Sequence, residues 1–292
     1  MTSPLAEKAV VADLTISRWS GRKLDKKITD EVNSQYDADD DAGRWNKQLL
    51  PKKAFAEINQ VVHAARAKHL AMTLPWASNR RRILPMRLFD DFSAKFRKLE
   101  AEFETAANNF ARDYPKHKQD QKKRLKSMYN EEDYPHAPQV RDLFSFAVSI
   151  DPIPDAGHFL VDLSKDQEDK IKRDLETQIR ATLGGSVLES AQRVVDVVEK
   201  MATRLKAYKP ATETNRAENT FRNSLVTNIE DLLPLLEAFN LTGDKKLATI
   251  TARIQKELIV NDAETLREDD AVRAKVAKSA EDILKQAQAL MA

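Results

Sequence analysis

Histidine, aspartate and glycine are the residues whose spacing would first announce catalysis or metal binding in this 292-residue chain without cysteine. The missing thiols remove cysteine nucleophiles, Cys-zinc sites, iron-sulfur clusters and disulfide redox chemistry. His63 and His69 stand six positions apart, roughly 240° around a helix, so they cannot share one ion as an i, i+4 pair does. His117, His136 and His158 have no local partner set. Asp37, Asp39 and Asp41 open like a calcium loop, but Ala42 replaces its turn glycine and Gln48 its bidentate glutamate. The six glycines, at 21, 43, 157, 184, 185 and 243, are too scattered to cradle phosphates with successive backbone amides. The chain therefore reads as non-enzymatic, with no catalytic residue, metal or cofactor.

Two basic groups remain. Arg80, Arg81 and Arg82 follow Trp76, and Lys122, Lys123 and Arg124 lie within the run from Lys116 to Lys126, flanked by Tyr114 and Tyr129. Clustered cations neutralise phosphates, and nearby aromatic rings stack on unpaired bases, a combination suited to single-stranded nucleic acid. With 48 basic against 46 acidic side chains the net charge is only +2, so any such surface must be local. The expected contacts are those six cations, with Trp76 as a stacking platform.

The elements that must position these residues are mostly helical. A charged fraction of 32% with rare glycine is the composition of long charged helices. Val10 to Trp19 alternates with period two and predicts a strand, with Gly21 permitting a turn after it. Leu24, Ile28 and Val32 repeat at helical spacing up to a solvated loop at Asp37 to Asp41. Phe55, Ile58, Val62, Ala65, His69 and Met72 predict a helix opened by Pro51. After a break at Leu74-Pro75-Trp76, the heptad seam Phe89, Phe92, Phe96, Leu99, Phe103, Ala106 and Phe110 predicts a helix from Pro85 to Tyr114, about 45 Å long. Phe144 to Ile150 and His158 to Leu163 predict two further strands.

Ser164 and Gln167 have capping-box spacing at the start of another long helix reaching Pro210, with a kink or break expected at Gly184-Gly185. A polar connector at 211–217 precedes three helical stripes that read as a closing bundle. The expected fold is mainly α (α+β), with long antiparallel coiled-coil-like helices and a small sheet, elongated. Its domains are expected at 1–210 and 211–292. The long seams suggest a homo-oligomer, and no segment is long and apolar enough to span a membrane.

The runs Leu14-Thr15-Ile16-Ser17-Arg18-Trp19-Ser20-Gly21-Arg22-Lys23, Leu84-Pro85, Phe221 through Asn240-Leu241-Thr242-Gly243-Asp244, and Leu266-Arg267-Glu268-Asp269 give the chain a resemblance to a phage and prophage family, domain of unknown function 3150. The resemblance spans nearly the whole chain and implies a phage-encoded protein in the bacterial cytoplasm, among DNA-metabolism genes or near a MoxR-type ATPase. It carries over no activity and no site residue. The expected function is thus an accessory of phage DNA metabolism that holds single-stranded DNA. The rival is a helical adaptor for a partner protein such as a phage AAA+ ATPase or a host defence factor.

Overall fold

The N-terminal alternation forms strand β1 (Ala9–Ser17), which buries Ala9, Val11 and Ala12. In this computed structural model, residues 5–76, 81–153 and 164–292 are described. The strand predicted at His158 to Leu163, and Arg80, lie outside them. β1 sits in a four-stranded sheet of order β4-β5-β1-β6, with β4 (Leu74–Pro75), β5 (Arg82–Pro85) and β6 (Ser145–Asp151). β5 runs antiparallel to both neighbours, Val10 facing Leu84 and Leu74 facing Ile83. A two-stranded ribbon pairs β2 (Arg22–Leu24) with β3 (Asn46–Gln48). The helices make this an α+β fold.

The chain divides into two compact units. One comprises residues 1–13, 72–90 and 150–292, the other 14–71 and 91–149. In the second, α1 (Lys26–Gln35) follows the ribbon strand that takes Leu24 out of the predicted helix. α2 (Ala56–Met72) buries the predicted seam from Ile58 to Met72, His69 included, and Phe55 is buried in the turn just before it.

α3 (Phe89–Leu125) carries the phenylalanine seam. Phe92 stacks on Phe96 at 4.1 Å, His69 lies 6.2 Å from both, and Phe55 approaches Phe110 at 5.0 Å. From β6 and the residue before it, Phe146 meets Phe103 at 5.5 Å and Phe144 meets Phe110 at 5.0 Å. The seam is therefore closed within the unit, and the stripe that suggested self-association is intramolecular core.

α3 does not stop at Tyr114 but continues through Pro115 to residue 125. Proline removes one helical hydrogen bond, yet the turns on either side are anchored. Tyr114 Oη donates to the Pro135 carbonyl at 2.9 Å, and Gln121 Nε2 to the Gln48 carbonyl at 2.6 Å.

In the first unit, α4 (Lys165–Ala207) begins at Ser164, whose amide donates to Gln167 Oε1 at 3.2 Å. It is helical for 43 residues through Gly184-Gly185, so the break that was one of the two expectations there does not occur. Both glycines are exposed, and an added Cβ would meet nothing within 4 Å.

The two compact units do not divide at residue 210, since residues 150–292 lie in one of them. α5 (Ser224–Glu230), α6 (Leu233–Phe239), α7 (Lys245–Glu257), α8 (Ala263–Glu268) and α9 (Asp270–Met291) build their core on α4 itself. Val194, Val198, Met201 and Leu205 of α4 are buried with Ile229, Ile254, Ile283 and Ala287. Arg273 near the start of α9 lies over the Tyr208 ring at 5.0 Å, just past the end of α4, so the two helices run antiparallel. No helix among the described residues is long and apolar enough to cross a membrane.

Candidate nucleic-acid interface

The first basic group belongs to the first unit, and both of its described cations, Arg81 and Arg82, are engaged by neighbouring groups. Trp76 is only 4% exposed and its amide donates to the Arg81 carbonyl at 3.1 Å, which corrects its expected role as a stacking platform. Arg81 pairs with Asp13 at 3.2 Å and Asp151 at 3.3 Å. In β5, Arg82 donates through Nε to Thr73 Oγ1 at 2.7 Å and through Nη2 to the Thr73 carbonyl at 3.0 Å. Arg193 of α4 donates to the same carbonyl at 3.0 Å. Burial, and then the Arg193 charge, push the Arg82 pKa down. Strand pairing puts these cations beside the sheet, where they hold it together instead of waiting for a ligand.

The second group is different. Lys122, Lys123 and Arg124 occupy the last turn of α3 and are exposed. Cations there complement the negative end of the helix dipole. Lys122 Nζ lies 5.3 Å from the centre of the Tyr129 ring. Lys126, at φ +50°, ends the helix in the left-handed region. The flanking tyrosines are tied down: Tyr114 is 1% exposed, and Tyr129 Oη donates to Glu131 at 2.5 Å. Burial, and then that carboxylate, raise the Tyr129 pKa to about 12. Glu131 also pairs with Lys118, and hydrogen bonds from Lys118 and Tyr129 hold its pKa below the usual carboxylate range.

The β2–β3 ribbon borders two recesses in the same unit. Side chains alternate along a strand, and the consecutive residues Arg22 and Lys23 line different ones. The larger, about 1000 Å³, is bordered by Lys23, Lys26, Lys27, Ile28, Lys47 and Tyr129 among others. At its wall the buried Lys47 ammonium contacts Asp25 at 2.8 Å and Asp133 at 2.6 Å and donates to the Met128 carbonyl at 3.1 Å. Lys23 adds a second bridge to Asp133 at 2.9 Å.

Burial alone would push Lys47 down, but hydrogen bonds to Asp133 and Asp25 outweigh it and raise its pKa. The hydrogen bond from Lys47 lowers the Asp25 pKa. For Asp133, burial works upward and is overcome by hydrogen bonds from Lys23 and Lys47, leaving it lowered. This cluster is neutralised from within and holds the ribbon.

The smaller recess, about 410 Å³, is lined by Arg18, Trp19, Ser20, Arg22, Gln48, Lys52, Phe55 and Asn59. Sequence reasoning did not single out its cations. They come from the end of β1, the ribbon and the turn before α2, and only the run Arg18-Trp19-Ser20-Gly21-Arg22 hinted at them. Gln48 borders the smaller recess, and its carbonyl accepts from Gln121, the residue before Lys122.

Compared with known proteins, the chain matches no family model, no curated protein and no solved structure.

Proposed function

We propose that this chain is a non-enzymatic, phage-encoded accessory protein of DNA metabolism that binds single-stranded nucleic acid in the bacterial cytoplasm. The binding surface is the basic end of α3. The observation that carries this reading is the exposure of Lys122, Lys123 and Arg124 in one helical turn, with no acidic residue between Gln121 and Met128. Such a turn offers charge to a phosphate backbone, a contact that adds affinity without reading sequence.

The test is anisotropy of a labelled single-stranded oligonucleotide against wild type and the triple variant Lys122→Glu, Lys123→Glu, Arg124→Glu at several salt concentrations. The variant is expected to bind about ten-fold more weakly or worse, with the log-log salt slope reduced by about 2. Equal binding and equal slopes would remove α3 from the account. Mass photometry of the same samples reads the number of subunits.

A second reading, an adaptor for a partner protein, is favoured by α1. Its polar residues Thr29 and Asn33 are buried, whereas Val32 is 41% and Tyr36 74% exposed. An apolar face turned to water is a docking feature. This reading predicts a saturable protein complex and no salt-sensitive affinity for DNA.

A further inference from the structure

The recess of about 410 Å³ beside Trp19 gathers three cations, Arg18, Arg22 and Lys52, and no carboxylate lines it. Among the described residues, none of the three takes part in an ion pair. Like charges that share a concavity raise one another's energy, and an anion relieves it. The cations of the ribbon's other recess show the contrast, because there Lys47 and Lys23 are answered by Asp25 and Asp133.

The rest of the lining is neutral and suited to a particular kind of anion. Ser20, Gln48 and Asn59 offer a hydroxyl and two carboxamides, while Trp19 and Phe55 supply an aromatic wall. That wall is rigidly backed. Trp19 contacts Phe55, Phe110 and Tyr114 edge-on, with ring centres 6.0 to 6.5 Å away. Arg18 is braced by a hydrogen bond from its guanidinium to Asn59 Oδ1.

The turn that sets Arg22 beside Trp19 needs Gly21, at φ +63°, where an added Cβ would stand 2.6 Å from the Phe55 ring. The Ser20 hydroxyl accepts from the Arg22 amide at 3.3 Å, and the Gly21 carbonyl from the Leu49 amide at 2.8 Å.

We propose that this recess binds a phosphorylated nucleoside, with the phosphate between Arg18, Arg22 and Lys52 and the base against Trp19 and Phe55. A phosphate monoester carries close to two negative charges, which three cations match better than they match a single carboxylate. A flat apolar ring is what an indole wall retains. The volume lies within the roughly 300 to 1,000 Å³ of small-ligand sites. The same chemistry comes either from a free mononucleotide or from the phosphorylated end of a strand. The site is separate from the α3 turn, and its occupancy does not depend on strand binding there.

The experiment is calorimetric titration of the full chain with deoxyadenosine monophosphate, deoxyadenosine and inorganic phosphate, together with a short oligonucleotide carrying either a 5′-phosphate or a 5′-hydroxyl. The site predicts that the monophosphate or the 5′-phosphorylated strand binds, and that the nucleoside does not. Inorganic phosphate should bind at least about ten-fold more weakly than the nucleotide, because it lacks the ring. Binding of the monophosphate assigns a free nucleotide, whereas tighter binding of the 5′-phosphorylated than of the 5′-hydroxyl strand to the variant Lys122→Glu, Lys123→Glu, Arg124→Glu, with no binding of the monophosphate, assigns a strand end.

Arg22→Glu and Lys52→Glu, both at exposed positions, are each expected to weaken binding by about ten-fold or more. Trp19→Phe should weaken it while preserving the fold, read by circular dichroism. The variant Lys122→Glu, Lys123→Glu, Arg124→Glu should leave mononucleotide affinity unchanged. Absence of binding by either phosphorylated ligand, equal affinity for nucleotide and phosphate, or indifference to Arg22→Glu and Lys52→Glu would overturn the site, whatever the outcome for DNA at α3.

Discussion

Among the described residues Lys47 is one of the few charged side chains that are buried, at 5% exposure, and two carboxylates hold it. Removing the cation strands Asp25 and Asp133 beside each other, and a buried pair broken on one side costs about 3 to 5 kcal/mol. Lys47→Met is therefore expected to lower the urea midpoint sharply at neutral pH. The pH dependence has a definite sign. Asp25 and Asp133 have lowered folded-state pKa values, so their contribution is complete above their unfolded values near 4 and is lost as pH falls through the folded ones. Lys47 is raised, so its contribution is complete below an unfolded value of about 10.4 and disappears as pH rises beyond it. Denaturation midpoints measured across pH should show a steep acid limb in wild type and a flatter one in Lys47→Met. Equal acid limbs would show that the bridge does not set them.

At the scale of elements, two long helices continue through residues whose local propensity opposes a helix. Pro115 lies inside α3 because Tyr114 and Gln121 anchor the turns around it. Gly184-Gly185 lies inside α4 with open space at both Cβ positions. The helix tolerates these glycines without needing them. Gly184→Ala and Gly185→Ala should each stabilise the chain by about 1 kcal/mol. Thermal unfolding should show rises of about 2 to 4 °C apiece, and a loss of stability would mean that the pair serves a bend. The seams of α2 and α3 were legible from spacing alone, since Val62, Phe92, Phe96, Phe103 and Phe110 at three-four steps all reached the core. The inverted burial of α1 was not, because Leu24, Ile28 and Val32 have the same spacing as a core stripe while Thr29 and Asn33 take the inside.

Across the whole molecule, each unit is assembled from segments distant in the chain, so a cut placed at a polar connector does not separate folding units. The helices after residue 217 close on Val194, Val198, Met201 and Leu205 of α4. A fragment of residues 211–292 is expected to show no cooperative unfolding transition, whereas 164–292 should regain one. The comparison is made by urea titration followed by circular dichroism. A cooperative transition in the shorter piece would restore the boundary at 210. The basic groups follow the same rule. Arg81 and Arg82 belong to one unit and Lys122, Lys123 and Arg124 to the other, so two groups that looked alike in the sequence have different surroundings.

Periodicity by itself determined the helical character, the strands at β1 and β6, the phenylalanine seam and the capping box at Ser164. These depend on neighbours within a few turns of chain, and apolar spacing records such neighbours directly. Charge was legible only as position along the chain. Tertiary structure decided which cations were answered by carboxylates, which tryptophan was buried, and which residues of β1, the ribbon and the turn before α2 came to line one recess. Pairing and desolvation depend on groups brought together from far apart, and no local pattern encodes their distance.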